Sequence, residues 1–350
     1  MTLKRIKLIV AGGACLLVLF LLEGCYYVQA ARGQIDLMNR RRPVPEVIAD
    51  EAVTVDLKER LSLVQEARQF AVDELLLPDN DSYKSYADLE RDYVVWNVFA
   101  APEFSLEAKR WCYPFVGCVA YRGYFDRDAA EKRAGKLAED GYDVAVGGVA
   151  AYSTLGKFSD PVLNTMMRWS DVNLVATIFH ELAHQKLYVK DDTEFNESFA
   201  TAVAEVGIYR WLGTRGEQRQ LAGYDARRQL RHDVMALVES TKGELEELYA
   251  TDVGAVVKRE RKRVLLDELA TAAATLIADS GTGSGNWLAP PLNNARLLSL
   301  GLYEGRLPAF RSILAECDDA LVCFYAEAER LAALGVDERR ARLDELTAGY

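Results

Sequence analysis

Apolar residues recur every three or four positions over long parts of the chain, and this spacing predicts a largely helical protein. The first such helix is expected over about 56–77. Strand patterns are confined to the N-terminal half, where charged helical sequence at about 127–140 separates two of them. The expected strands are Tyr93–Ala100, Val119–Phe125 and Tyr142–Tyr152. This strand–helix–strand order predicts a small mixed sheet.

After Tyr152 the pattern is almost entirely helical. Asp160-Pro161 favours a helix start there, because proline fits the first helical position. The fold class is therefore expected to be α+β, predominantly α, with a small N-terminal mixed sheet and a helical C-terminal portion. Further helices are expected over about 194–211, 218–240 and 244–278, with a break at Lys242-Gly243.

The N-terminus has the pattern of an export signal. An uncharged run of 15 residues, Leu8–Leu22, is too short to span a bilayer and suits a secretory signal. The following Leu22-Glu23-Gly24-Cys25 resembles the bacterial lipobox, whose cysteine is lipidated after cleavage. Glu23 departs from that motif, so an uncleaved signal anchor is the alternative. With Tyr26 after the cysteine, we expect a lipoprotein of the bacterial cell envelope, anchored through Cys25 and facing the periplasm at the outer membrane.

Composition narrows the class of protein. Half of the residues are hydrophobic and 27% are charged, which is typical of a globular domain. The formal net charge of −11 argues against a nucleic-acid partner, because such proteins need clustered basic residues. Contact with the membrane is expected through the N-terminal lipid anchor only.

Cysteine usage agrees with export. Cys15 leaves with the signal, which leaves four cysteines besides the lipidated one. An even number in an oxidising compartment favours disulfides. Local pairs and crosslinks between the two halves both remain open, and local pairs are the simpler arrangement. The four cysteines form two pairs of identical spacing, Cys112 with Cys118 and Cys317 with Cys323.

Two of the chain's three histidines lie in His180-Glu181-Leu182-Ala183-His184. In a helix, residues four positions apart share a face, so both imidazoles can reach one metal ion. The flanking residues are mostly apolar, and Ser170 or Asp171 can cap the helix. Buried histidines need partners, and a metal ion satisfies both.

A catalytic zinc site usually has three protein ligands, so one more is required. No third histidine follows the motif, and the ligand must be a carboxylate. Glu197 is the best candidate, because a short polar turn would bring the next helix back towards His184. Asp191, Asp192 and Glu194 are rival donors, which could equally cap that helix.

The pair of motifs, His180-Glu181-x-x-His184 and Asn196-Glu197-Ser198-Phe199-Ala200, resembles those of the glutamate-zincin peptidases. The gap between them is shorter than in thermolysin-like enzymes. Nearly the whole chain is similar to a family of bacterial predicted zinc aminopeptidase lipoproteins. Other residues that carry this similarity are Cys25-Tyr26-Tyr27, Arg42-Pro43-Val44, Tyr152–Phe158 with Asp160-Pro161, Asn293–Leu297 and Tyr303.

The resemblance implies a zincin-like core and one zinc ion held by His180, His184 and Glu197. Zinc lowers the pKa of its bound water, and Glu181 would accept that water's proton as general base. The developing oxyanion needs a further donor. Candidates for that donor are Tyr303, Tyr152 and His232, of which Tyr303 is preferred and His232 also fits a solvated surface position.

Other residues suggest how a substrate is held. Gly147 and Gly148 could let a peptide backbone approach an edge strand, or could mark a bulge in an ordinary strand. The neighbouring Asn293 and Asn294 resemble a clamp for the substrate backbone. Glu205 could orient a ligand histidine or could be an exposed helix charge.

These observations predict a zinc peptidase acting on peptide substrates, with an aminopeptidase acting on short peptides preferred. A zinc endopeptidase is the first alternative. The second is a non-catalytic cell-envelope assembly or chaperone lipoprotein with a structural zinc. The expected division is a signal peptide at 1–24, a lipidated N-terminus and tether at 25–55, the zincin-like α+β domain at 56–213 and a helical C-terminal domain at 214–350.

Overall fold

Helices make up 63% of the computed structural model, which describes residues 26–113, 117–283, 288, 290–301 and 305–348. The predicted fold class, α+β and predominantly α, is confirmed. Among the described residues, no helix is both long and apolar enough to cross a bilayer. The helices are 26–39 (α1), Val44–Ala49 (α2), Val55–Asp73 (α3), Arg127–Glu139 (α4), Asp171–Lys186 (α5), Thr193–Arg215 (α6), Gln218–Ala250 (α7), Ala255–Asp279 (α8), Asn294–Gly301 (α9), Leu307–Glu316 (α10), Leu321–Ala333 (α11) and Val336–Ala348 (α12).

The described strands form three small sheets. The three strands predicted from the sequence build one antiparallel sheet of order β6-β3-β7, so β7 lies at its edge. The mixed sheet is a different one, in which β2 pairs antiparallel with β1 and parallel with β8. The strands are Arg41–Pro43 (β1), Ser85–Ala87 (β2), Val95–Pro102 (β3), Trp111–Tyr113 (β4), Gly117–Val119 (β5), Tyr121–Tyr124 (β6), Tyr142–Val149 (β7) and Val162–Leu163 (β8).

The segment expected to be a tether is largely folded. α1, β1 and α2 follow one another, and Leu37, Val44 and Val47 are buried in the main core. Arg41 extends the packing by donating a hydrogen bond to the backbone oxygen of Ser159 at 3.0 Å. These apolar positions are too widely spaced to stand out as a helical stripe in the sequence.

The main core joins α3, α5 and α6 to the C-terminal helices α10, α11 and α12. Its aromatic centre brings Phe310 of α10 to within 5.1 Å of Phe195 and 5.9 Å of Phe199, measured between ring centroids. A second cluster lies between α7, α8 and α9, and a third lies between α4 and the antiparallel sheet. The largest core therefore includes helices from both sides of residue 213.

Two local predictions are wrong. The helix break expected at Lys242-Gly243 is absent, because α7 continues to Ala250 and Gly243 costs a solvated helix only about 1 kcal/mol. Asp160-Pro161 begins no helix either. The Asp160 carboxylate instead accepts hydrogen bonds from the amide and the hydroxyl of Thr154, both at 2.8 Å, and closes a turn that leads into β8.

The cysteine pairs are local. The sulfur atoms of Cys112 and Cys118 lie within bonding distance of each other, as do those of Cys317 and Cys323. The first pair joins the facing strands β4 and β5, and the second joins the end of α10 to α11.

Phe310→Ala is expected to lower the free energy of unfolding by about 3–5 kcal/mol, because it removes a fully buried ring from the aromatic centre. Urea denaturation followed by circular dichroism measures the change. Phe158→Ala serves as the control, since Phe158 is 48% exposed and its loss should cost much less. Equal losses from the two substitutions would contradict the assignment of the core.

Candidate metal centre

The candidate ligands lie on α5 and α6, and both helix starts are fixed by caps. The hydroxyl of Ser170 accepts a hydrogen bond from the amide of Asn173 at 3.3 Å, so Ser170 is the cap of α5. The carboxylate of Asp192 accepts one from the amide of Phe195 at 3.2 Å and caps α6. Asp192 is also paired with buried Arg339 of α12 at 2.8 Å. Asp192, a rival candidate for the third ligand, therefore has a structural role.

Asn196 fixes the turn that joins the two helices. Its side-chain amide donates to the backbone oxygen of Val189 and accepts from the backbone nitrogen of the same residue, both at 2.7 Å. Farther along α6, Gly207 lets the helices approach closely, because a Cβ there would lie 2.5 Å from the ring of Phe179. The next residue after Asn196 is Glu197, which is thereby directed towards the histidines.

Three side-chain atoms converge on one point. The Nε2 atom of His180 lies 3.2 Å from Oε2 of Glu197 and 3.1 Å from Nε2 of His184. The remaining separation, from Nε2 of His184 to Oε2 of Glu197, is 3.6 Å. His180, His184 and Glu197 together form a cluster that could hold a metal ion.

These separations fit a tetrahedral metal centre. Ligand atoms at about 2.0–2.1 Å from a zinc ion in tetrahedral geometry lie about 3.3 Å from one another. The three observed separations lie on either side of that value. The donor set of two imidazoles and one carboxylate also suits zinc, and three protein ligands leave a fourth position open.

Burial and charge support this arrangement. Burial alone opposes ionisation of Glu197, but His184 and His180 hold its pKa far below the ordinary value. Burial likewise lowers the pKa of His184, but Glu197 and Glu181 raise it overall. Burial, with the charge of Glu197, raises the pKa of Glu181 by more than the two histidines lower it. Glu197, a candidate ligand, is thus held in its ionised form, while Glu181 has an increased affinity for a proton.

The centre opens into a cavity of about 570 Å³. Its lining comes from α1, from β3 and β6 of the antiparallel sheet, from the 151–158 segment and from α5 and α6. Most of the lining is apolar or aromatic. Glu181 and Glu197 are the only acidic residues among the described residues that line it.

Tyr152, one of the candidates for the oxyanion donor, lines this cavity together with His180, His184 and Glu197. Gly147 and Gly148 lie in the edge strand β7, but they do not line the cavity. A Cβ at Gly148 would lie 2.4 Å from the ring of Tyr93, so this glycine makes room for a neighbouring side chain. A Cβ at Gly147 would meet no other atom within 4 Å, and Gly147 pairs with Asn97 of β3.

Asn293 and Asn294 lie away from the cavity and fasten loops. The side chain of Asn293 donates to the backbone oxygen of Val144 in β7 at 2.8 Å. Asn294 is fully buried, and its side-chain nitrogen donates to the backbone oxygens of Pro102, Glu103 and Ser105. Both contacts hold the edge of the antiparallel sheet.

The other predicted residues are not brought to the centre. His232 lies on α7 and lines a separate cavity with Met235 and Glu239. Glu205 forms a two-point ion pair with Arg311, at 2.9 and 2.6 Å. Tyr303 and Cys25 lie outside the described residues.

Three tyrosines that the sequence analysis did not single out also line the cavity, namely Tyr113, Tyr121 and Tyr188. Burial raises the pKa of Tyr121, and the nearby charges of Glu197 and Glu181 raise it further. Burial raises the pKa of Tyr188, and the charge of Glu197 raises it further. Tyr188 lies just beyond the C-terminal end of α5, in the turn between α5 and α6. Tyr121 reaches the centre only through the pairing of β6 with β3, which the sequence does not reveal.

We expect the purified protein to bind one zinc ion and to be stabilised by it. His184→Ala and Glu197→Ala each remove one of three ligands and should weaken zinc binding by at least about tenfold. Competition titration with a chromophoric chelator measures the affinity. His232→Ala is the matched control, because it removes the one histidine outside the motif. Equal zinc affinity in all four proteins would contradict the ligand assignment.

Comparison with known proteins identifies the family of the chain. No curated protein and no solved structure matches the chain. The family model described as "Putative aminopeptidase" matches residues 25–343. This range is most of the chain and includes the candidate ligands His180, His184 and Glu197. The chain therefore belongs to this putative aminopeptidase family.

Proposed function

We propose that this protein is a zinc-dependent peptidase of the glutamate-zincin type that acts as an aminopeptidase on short peptides. The observation that carries the proposal is the convergence of His180, His184 and Glu197 in a cavity that also contains Glu181. Membership of an aminopeptidase family supports the same conclusion and makes peptides the expected substrates.

Zinc held by the three ligands would activate a water molecule for attack and polarise the substrate carbonyl. Glu181 would act as the general base. It follows a ligand directly in the sequence, lines the cavity beside both histidines and has a raised pKa. It would accept the proton of the attacking water and deliver it to the amine that leaves, so that hydrolysis yields a carboxylate and a free amine.

The carbonyl oxygen gains negative charge during attack and needs a hydrogen-bond donor. Tyr121 and Tyr152 both line the cavity, and burial keeps each hydroxyl protonated at neutral pH, with the pKa of Tyr152 raised to about 12. Tyr121 lies close enough to Glu197 and Glu181 for both charges to raise its pKa. We propose Tyr121 as the first candidate for the donor and Tyr152 as the second.

Glu181→Gln is expected to lower kcat by about 10²–10⁴-fold without loss of zinc, because the amide cannot accept the proton. The assay is mass-spectrometric mapping of cuts in a mixed peptide library, with zinc content measured in the same samples. Glu239→Gln, a carboxylate on α7 outside this cavity, is the matched control. An unchanged rate in Glu181→Gln would overturn the proposed catalysis.

The same library separates the kinds of peptidase. An aminopeptidase should release N-terminal residues and leave N-acetylated peptides intact. Internal cuts at equal rates in free and acetylated peptides would instead indicate an endopeptidase. If no peptide is cut and zinc removal unfolds the protein, the zinc is structural, as a cell-envelope assembly or chaperone protein would require.

We further propose that Cys25 is acylated and holds the protein at the periplasmic face of the bacterial outer membrane. The proposal is supported by the signal-like pattern before this cysteine and by the folded helix that starts directly after it. Cell fractionation of a tagged bacterial expression strain should place the native protein in the membrane fraction and Cys25→Ser in a soluble fraction. Recovery of both proteins in the soluble fraction would contradict the anchor.

A further inference from the structure

We propose that α1 is a fixed wall of the catalytic cavity that restricts it to short peptides with an apolar or aromatic residue next to this helix. The inference rests on the peptidase function proposed above and adds the structural cause of the limit to short peptides and a side-chain preference. It assigns a role to the stretch that follows the proposed anchor, which neither the metal centre nor the general base explains.

One face of α1 lines the cavity. Tyr26, Ala30 and Gln34 follow one another at four-residue spacing, which places them on one side of the helix, and Tyr27 joins them in the lining. They share the cavity with His180 and Glu181, although more than 140 residues of sequence separate the two sets. The helix is therefore part of the site that would bind substrate.

Several contacts dock α1 on the antiparallel sheet. The guanidinium of Arg122 lies 3.9 Å from the ring centroid of Tyr26, a separation at which a cation is attracted to the ring face. The ring of Tyr26 also packs against Tyr113 at 5.7 Å and Tyr124 at 5.5 Å. At the next turn, Gln29 accepts a hydrogen bond from the amide of Phe125 at 3.2 Å.

Gly33 sets how closely α1 approaches. A Cβ at this position would lie only 2.1 Å from the ring of Phe125, so no larger residue fits without displacing the helix or the ring. Phe125 itself lines the cavity and packs edge-on against Tyr152, with the ring centroids 5.6 Å apart. The docked helix, Phe125 and Tyr152 thus form one continuous aromatic wall.

The size of the cavity defines the class of substrate. A volume of about 570 Å³ is in the range of sites that enclose small ligands. An extended peptide of 12 residues is about 40 Å long, so only part of it can lie inside the cavity. Because the wall beside α1 is lined by Tyr26, Tyr27 and Phe125, it favours an apolar or aromatic side chain of the substrate.

Gly33→Ala provides the test, because alanine suits a helix but its methyl group would push α1 away from Phe125. Tyr26→Ala removes a ring from the wall and provides a second variant. Gly135→Ala on α4 is the matched control, since a Cβ there meets no atom within 4 Å. All variants are made in the full chain, and thermal melts confirm that they fold.

The first measurement compares kcat/KM for a tripeptide and for a peptide of about 12 residues with the same N-terminal sequence. The native protein and Gly135→Ala should prefer the tripeptide by about tenfold or more, and Gly33→Ala and Tyr26→Ala should reduce that preference by about threefold or more. An unchanged preference in both folded, active variants would overturn the proposal.

The second measurement does not depend on turnover. In the zinc-loaded Glu181→Gln protein, the dissociation constants of the same two peptides are measured by calorimetry, with and without Gly33→Ala. The tripeptide should bind more tightly than the long peptide, and Gly33→Ala should reduce that difference. This result supports the role of α1 as a wall even if no peptide is hydrolysed. Equal affinities for both peptides in the protein that retains Gly33 would contradict it.

Discussion

The site depends on the close contact between α5 and α6. A turn held by Asn196 brings α6 back along α5, and Gly207 removes the side chain that would otherwise strike Phe179. Only with the helices this close do His180, His184 and Glu197 come within 3.1–3.6 Å of one another. The C-terminal helices keep this pair in place, because α12 supplies Arg339 to the cap of α6.

This contact also concentrates charge in an apolar setting. Two imidazoles and two carboxylates share a buried region, and without a metal the negative charge is reduced by protonation of the histidines or of Glu181. A divalent cation held by His180, His184 and Glu197 would neutralise the charge of Glu197 and leave Glu181 as a separate carboxylate. The chemistry proposed for the protein follows from that division between one ligand carboxylate and one base.

The sequence predicted the local parts of the site well. Helical spacing placed both histidines on one face, and the polar turn placed Glu197 on the returning helix. The sequence could not predict contacts that depend on pairing between distant segments. Tyr121 reaches the cavity through the register of β6 with β3, and α1 reaches it from the far N-terminus through Arg122 and Phe125.

The incorrect predictions also arise from contacts that the sequence does not reveal. Asn293 and Asn294 looked like a substrate clamp, but their amide groups instead donate to backbone oxygens of β7 and of the end of β3. Gly243 looked like a helix end, but its neighbours on α7 carry the helix through it. Residue type alone does not distinguish a polar group that binds a ligand from one that completes the fold.

The central claim is that one zinc ion is bound by His180, His184 and Glu197 in the cavity that contains Glu181. X-ray diffraction recorded above and below the zinc absorption edge tests it most directly. The account predicts a single anomalous peak at the point where the three ligand atoms converge, with the Glu181 carboxylate beside it but not bound. A zinc peak on other residues, or none in zinc-soaked crystals, would contradict the account.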